Sequence, residues 1–317
     1  MKKIIYLLVI TSILTSCGEI PFEPNYKVTA EFNEENITVE QKDKIIEILQ
    51  KRFLAYKLRN EITFNKKEII VKLENKMRKI DQIGLEKLIT TQGNIKFWHT
   101  YKNTEIGDKI FIISNNIISK TPSLSNLLFP SLDKKGEWIE SSILGNAKIQ
   151  DTAQINSYLK RKQLTDSLPQ DISFMWETAP SSASDYGDLF INLYLIKKTK
   201  SEIPKLDNSH IEQAKNTSDL LKKNAMVTLY FTEEGKNNWA KMTEYSATNK
   251  SGIAMTIDNK VFTAPSTSSK IVGDKIQITG GNFSGELGGS IAYNLVVMTN
   301  NGILPFPLNL KETKKLD

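Results

Sequence analysis

Residues 225–265, AMVTLYFTEEGKNNWAKMTEYSATNKSGIAMTIDNKVFTAP, decide the fold class. Val227, Leu229 and Phe231 alternate with Thr228 and Tyr230, the period-two pattern of a strand with one buried face. Thr232 stands where a helix N-cap belongs, and Glu233 and Glu234 put negative charge beside the unpaired N–H groups of a first turn. Trp239, Met242 and Tyr245 recur every three residues and give a helix of about three turns one apolar face. A second strand is predicted from Ile253 to Ile257. Asp258 and Asn259 tolerate positive φ, as a tight hairpin requires, so Val261 and Phe262 begin a returning strand. Pro265 has no N–H and ends the ladder. Nothing in this strand–helix–hairpin unit looks catalytic.

Working outward, 226–231, 233–247, 253–257, 260–264, 275–279, a helix near 287–299 and an extended end at 303–310 approximate a βαββαβ order. The front half reads the same way. Val28, Ala30 and Phe32 alternate as a strand, and Thr38 with Gln41 makes a capping box. The helix beyond carries Ile45, Ile48, Leu49, Phe53 and Tyr56 on one face. Ile62 and Phe64, then Ile69, Val71 and Leu73, form a hairpin around Asn65-Lys66-Lys67. A helix with Ile80, Ile83, Leu88 and Ile89 apolar follows, and Ile95 to His99 is a closing strand. The reading is α+β: two ferredoxin-like βαββαβ units at 27–106 and 225–312, with an α/β insertion at 107–224. In the insertion, Ile110 to Ile113 reads as a short strand. Asp151 caps a helix holding Ile155, Tyr158 and Leu159, and Phe174 to Trp176 and Leu189 to Ile196 read as strands.

The 317 residues, 39% hydrophobic and 25% charged, suit two globular domains, or one domain with a large insertion, with a proper core. Met1 to Ser16 reads as a signal peptide: Lys2 and Lys3 precede an apolar run from Ile4 to Leu14 that is too short to span a bilayer as a helix. Leu14-Thr15-Ser16-Cys17 resembles a bacterial lipobox, so Cys17, the sole cysteine, is the expected lipidation site and 17–26 a tether. A single cysteine excludes internal disulfides, and acylation would remove a free thiol from an oxidising compartment. Each buried lipid CH₂ is worth about 0.8 kcal/mol, so two or three chains anchor durably. The net charge is +6, but only Arg52, Arg59, Arg78 and Arg161 are arginine. That is a poor basis for nucleic-acid readout, and no nucleic-acid partner is expected.

Several short motifs resemble one family. Thr232-Glu233-Glu234-Gly235 with Trp239 and Thr243-Glu244, then Asp258-Asn259-x-Val261-x-x-Ala264-Pro265, Gln277-Ile278-x-Gly280 with Asn282-Phe283, and Gly302-x-Leu304-Pro305-x-Pro307 follow in the order found in SecD, the accessory protein of bacterial Sec translocation. Leu49-x-x-Arg52 and Gly93-Asn94-Ile95-Lys96-Phe97-Trp98 are similar to segments of its first periplasmic domain. The resemblance covers roughly residues 27–312 and implies a SecD-like periplasmic domain, with unfolded polypeptide or Sec components as partners. The family's membrane helices, with their proton-responsive carboxylates, have no counterpart before Asp317. The expectation is therefore a lipid-anchored envelope protein without proton coupling, with the outer membrane favoured because Gly18 follows Cys17. The alternative is an outer-membrane scaffold lipoprotein unrelated to Sec.

Chemistry-bearing residues are sparse. His99 and His210 are far apart with no cysteine partner, which argues against a metal; no cofactor and no enzymatic activity are expected. Adjacent helix residues Glu233 and Glu234 point in different directions, and compensation of the helix dipole explains them. Ser142 and Ser266 lack a nucleophile-elbow context, and the glycines between Gly280 and Gly289 fit no phosphate-binding loop. For polypeptide binding the candidates are Leu127, Leu128, Phe129 and Trp138, in a Pro- and Ser-rich stretch of the insertion. The same residues could instead fill a small core.

Overall fold

The computed structural model describes residues 21–76, 80–116, 122–180, 182–183, 187–198, 205–217, 225–279, 283 and 288–316. Cys17, with the signal peptide, lies outside them. The architecture is mixed helix and sheet, in three sheets. No helix among the described residues is long and apolar enough to cross a membrane.

The first sheet is antiparallel and runs in the order Asn309–Lys315, Tyr26–Glu31, Glu68–Glu74, Arg59–Asn65. Its inward residues Val28, Ala30, Ile69, Val71 and Leu73 are fully buried under the helices Val39–Ala55 and Gln82–Thr90. The Thr38–Gln41 capping box forms as the sequence demands, and Lys66 takes the positive φ of the expected hairpin turn. Ile83 is exposed, and Leu85 takes the buried position in that helix instead.

One expectation changes. Ile95–Thr100 does not close this sheet; the fourth strand is Asn309–Lys315, from the far end of the chain, paired with Tyr26–Glu31 from Tyr26↔Lys315 to Glu31↔Asn309. Ile95–Thr100 lies inside a nine-stranded sheet, beside Ile253–Ile257 on one edge and Leu189–Lys197 on the other. The reason is burial. Ile95 and Phe97 on one face and Trp98 on the other are all buried, which a central strand provides and an edge strand over two helices does not.

The strands 226–279 likewise do not share one sheet. Ile253–Ile257 and Lys260–Thr263 join the large sheet, whereas Met226–Phe231 and Lys275–Thr279 pair with Ile211–Asn216 in a separate three-stranded sheet. The helix Glu233–Asn249 packs between the two, held by buried Trp239 and Met242. Thr232 accepts from Gly235 N, as an N-cap should. Gly235 has a reason of its own: a Cβ there would lie 2.5 Å from the His210 carbonyl oxygen.

In the insertion, Asn103–Asn116 is a helix, not a strand. Ile106, Ile110, Phe111 and Ser114 form its buried face, a spacing that four consecutive apolar residues had masked. Ile155, Tyr158 and Leu159 are buried on the helix Thr152–Leu159, although the Asp151 side chain makes no capping bond. The large sheet also closes on itself. Leu189–Lys197 pairs with both Ile95–Thr100 and Ile172–Trp176, and a bridge from Glu177 to Val261 returns the ring to Lys260–Thr263. Trp98, Met175, Tyr194, Ile196, Ala254 and Val261 fill its interior.

Arg52 joins these parts. Its side chain is fully buried and donates to the carbonyls of Leu88 (2.9 Å), Thr91 (2.7 Å), Gln92 (2.9 Å) and Gly302 (3.2 Å). Across the same loop, the Asp258 carboxylate accepts from the N–H groups of Gln92 (2.8 Å), Gly93 (3.0 Å) and Asn94 (2.9 Å). Burial pulls the guanidinium down to about 10, opposed by Asp258, so it stays charged at neutral pH. Asp258 and Asn259 adopt φ of 51° and 61°, the hairpin conformation read from sequence.

His99 is buried against Tyr245, with ring centroids 4.3 Å apart. Neither imidazole nitrogen has a hydrogen-bond partner among the described residues. Lys197, itself donating to the Tyr245 hydroxyl (2.9 Å), and Lys205 are the nearby cations. Burial first, then these cations, push the imidazole down to about 4.

Two outcomes follow. Arg52→Met strips four carbonyls of their donor and should cost roughly 3–5 kcal/mol in chemical denaturation. Arg52→Lys should recover little of it, since one ammonium cannot reproduce the planar fork; full recovery would mean that only the charge matters. For His99, the unfolded chain binds a proton below about 6.5 that the folded chain refuses until about 4. Stability should therefore be full above pH 6.5 and fall as the pH drops towards 4. Melting curves of His99→Phe over that range should be flatter than those of the parent, and equal slopes would rule the histidine out as the cause.

Candidate functional site

Of the four insertion residues picked out by sequence, Leu127 and Leu128 are buried in the core under the helices Asn103–Asn116 and Thr152–Leu159. Leu128 sits on a short strand, Leu128–Pro130, whose pairing with Ile143–Lys148 turns it inward. These two cannot offer a surface. Trp138 is half-buried: its indole donates to Asp108 (2.8 Å) and its ring lies over Gly107, where a Cβ would come within 2.5 Å. Phe129 alone is open, 44% exposed, with its ring 6.1 Å from that of Phe190.

A concave apolar surface lies elsewhere, between the large sheet and the three-stranded sheet. Phe97, Ile253 and Met255 come from the large sheet, Trp239 from the helix Glu233–Asn249, and Ile276 and Ile278 from the strand Lys275–Thr279. They bound a groove of about 480 Å³, within the range of ligand-holding clefts. Phe97, Ile253, Met255, Trp239 and Ile278 are buried core residues that back it, and Ile276 with Ile271 at the rim supplies the open apolar surface. Phe97 and Trp239 meet edge-to-face with centroids 6.1 Å apart, and Phe231 backs Trp239 at 5.8 Å, so this wall is rigid. Thr243 fixes the rim: its hydroxyl donates to Trp239 O (3.0 Å) and accepts from Ile271 N (2.9 Å). Beyond that rim Ile271 is 40% and Val272 81% exposed. Lys275 is the single ionisable residue lining the groove. The sequence pointed to strands here and not to a groove, because 253–257 and 275–279, expected in one βαββαβ unit, fall in different sheets.

A second cavity of about 490 Å³ lies where the first sheet's helices meet the hairpin, lined by Thr91, Ile257, Asp258, Phe262, Met298 and Leu308 among others. Asp258 and Thr91 of the junction with Arg52 line it, beside Ile291, Leu295 and Met298 of the helix Gly288–Asn300.

Asp207, Ser209 and His210 come together, but not as a nucleophilic triad. The Ser209 hydroxyl (2.6 Å) and His210 Nδ1 (2.9 Å) both approach the same Asp207 oxygen. Ser209 Oγ also lies 3.2 Å from His210 Nδ1, the same nitrogen that faces Asp207, so aspartate and serine do not flank the imidazole on opposite nitrogens as a triad requires. The arrangement caps the turn Asn208–His210. Among the described residues no three His, Cys, Asp or Glu side chains are grouped to hold a metal.

Residues 192–306 match the family profile described as the SecDF P1 head subdomain, a span that contains most of the groove. The protein translocase subunit SecD of Rhodothermus marinus is 27% identical over 164 residues, 52% of this chain and 24% of that protein. That of Acidaminococcus fermentans is 35% identical over 89 residues, 28% of this chain and 20% of that protein. The chain thus spans about a quarter or less of the length of these relatives. Two solved structures of SecDF, one in a super-membrane-facing form and one described as a membrane component that enhances protein export, align over 91% and 92% of this chain. Both are 19% identical, with TM-scores of 0.48 and 0.47. The match over 192–306 and these SecD relatives make the chain similar to the periplasmic domain of SecD/SecDF.

Proposed function

We propose that this chain is a lipid-anchored envelope protein that holds segments of unfolded polypeptide and assists protein translocation at the Sec machinery, without proton coupling of its own. The observation that carries the reading is the apolar groove, framed by Phe97 and by Trp239, Met255 and Ile276, the last three inside the segment matched to a SecDF head. A groove with rigid aromatic walls and one ionisable side chain suits apolar stretches of many sequences. The translocase-subunit names of the relatives supply the process. Phe129, exposed beside Phe190, is a secondary contact for such a chain. In fold terms, the order and antiparallel pairing of the first sheet support a ferredoxin-like unit whose fourth strand is Asn309–Lys315.

Anchoring rests on Leu14-Thr15-Ser16-Cys17, and the periplasmic side of the envelope, at the outer membrane, is the setting it implies. Cys17→Ser should move the protein from the membrane to the soluble envelope fraction, since a single chemical group supplies the affinity; retention after a high-salt wash would defeat this reading.

Binding is tested at the groove rim. Ile271→Ser with Ile276→Ser removes apolar surface that the core needs little, and should weaken capture of a reduced, carboxymethylated polypeptide by about 1 kcal/mol or more, roughly five-fold. The melting temperature should change by no more than a few degrees. Undiminished capture would move the site away from the groove, and no capture by the parent protein would favour a scaffold role.

A further inference from the structure

We propose that the strand Lys275–Thr279 takes the held polypeptide as an added β-strand, so that recognition runs through the client's backbone. This rests on the polypeptide-holding reading above and specifies how that site binds.

The sheet edges of this molecule are treated unequally. In the three-stranded sheet, Ile211–Asn216 is one edge, and Asn300 covers it. The Asn300 side chain accepts from Ala214 N (2.8 Å) and donates to Ala214 O (2.9 Å), standing where a neighbouring strand would. The register of that edge also slips between Ile211 and Gln213. In the first sheet, one edge strand carries Lys311, Lys314 and Lys315 beside a register shift, and the other has Arg59 and Glu61. In the large sheet, the edge strand Leu128–Pro130 has three residues and ends in proline, while Lys260–Thr263 has its outer side bonded by Thr178 N to Val261 O (2.9 Å). Charge, proline, bulges and cover are the known devices that keep edges from pairing.

Lys275–Thr279 has little of this protection. Its ladder with Met226–Tyr230 runs without a register shift, it contains no proline, and its one charge is at its first residue. No strand among the described residues pairs with its outer side. The groove lies along it, so a chain paired there sets alternate side chains into the groove, towards Ile271 at its rim and the apolar floor that Ile253 and Met255 back from the core. Such a contact tolerates many sequences, since the hydrogen bonds come from the main chain. Lys275, with no acidic residue in the lining, favours clients carrying an acidic residue near that end over basic ones.

The test uses the full chain and a short peptide of alternating Val and Thr, compared with two versions N-methylated at alternate amides. One methylated set should lose binding by roughly ten-fold or more, because only one set of amides faces the edge, while the other set binds nearly as well as the parent. Hydrogen exchange at 275–279 should slow on peptide binding, and that at 211–216 should not. Asn300→Ala should uncover the second edge and bring peptide-dependent protection to 211–216. If the peptide binds but both methylated versions bind equally well, or exchange at 275–279 is unchanged, the edge inference is overturned and the holding function stands. If neither the peptide nor a reduced, carboxymethylated polypeptide binds, both fall.

Discussion

The structure depends on how it satisfies the backbone of one short loop. Residues 91–95 leave a helix and enter the centre of the large sheet, partly or fully buried, and their backbone groups are served by side chains from elsewhere. Arg52 takes the carbonyls of Thr91 and Gln92, and Asp258 takes three successive N–H groups. Asn208 donates to the Gly93 carbonyl (3.0 Å) and accepts from Ile95 N (2.6 Å). Gln92 and Leu304 exchange a further pair of bonds, one through the Gln92 side chain. Three side chains from distant parts of the sequence thus meet on one loop. A buried guanidinium and a carboxylate are costly singly, and here each is matched by fixed donors or acceptors, so the loop gains a single conformation.

The apolar groove inherits its shape from that junction. Phe97 is two residues beyond the loop, and Ile253 and Met255 lead into the hairpin whose turn is Asp258-Asn259. Both sit on paired strands, Met255 opposite Phe97 and Ile257 opposite Ile95, so fixing the loop fixes the register of the groove floor. The opposite wall belongs to the three-stranded sheet and reaches the floor chiefly through Trp239 and Phe231. The two walls are joined by packing, not by a continuous hydrogen-bond ladder.

Local features were legible in the sequence where local physics governs them. The Thr38–Gln41 capping box, the Thr232 cap and the positive φ at Asp258 and Asn259 follow from nearest-neighbour chemistry. Partnership between strands was not legible. Ile95 to His99 alternates as well in the centre of one sheet as at the edge of another, and only the burial of Phe97 and Trp98 on opposite faces distinguishes them. The helix Asn103–Asn116 was hidden by the apolar run Ile110 to Ile113 inside it. The motifs around Leu49 and Arg52, Gly93-Asn94, Asp258-Asn259 and Gly302 were each visible, but not that they converge. Leu127 and Leu128 read as candidate surface because prolines and serines surround them; the short helix Leu124–Leu127 buries the first and the strand Leu128–Pro130 turns the second inward.

The first sheet is completed by pairing Tyr26–Glu31 with Asn309–Lys315, and Arg52 finds one of its four carbonyls at Gly302. Contacts so distant along the chain cannot form while the chain is still being delivered from its N-terminus. Until the last strand arrives, Tyr26–Glu31 has an open side and the helices above it lack Leu304, Phe306 and Leu308. The fold is thereby kept from locking early, and its core sets only when the polypeptide as far as Lys315 is available.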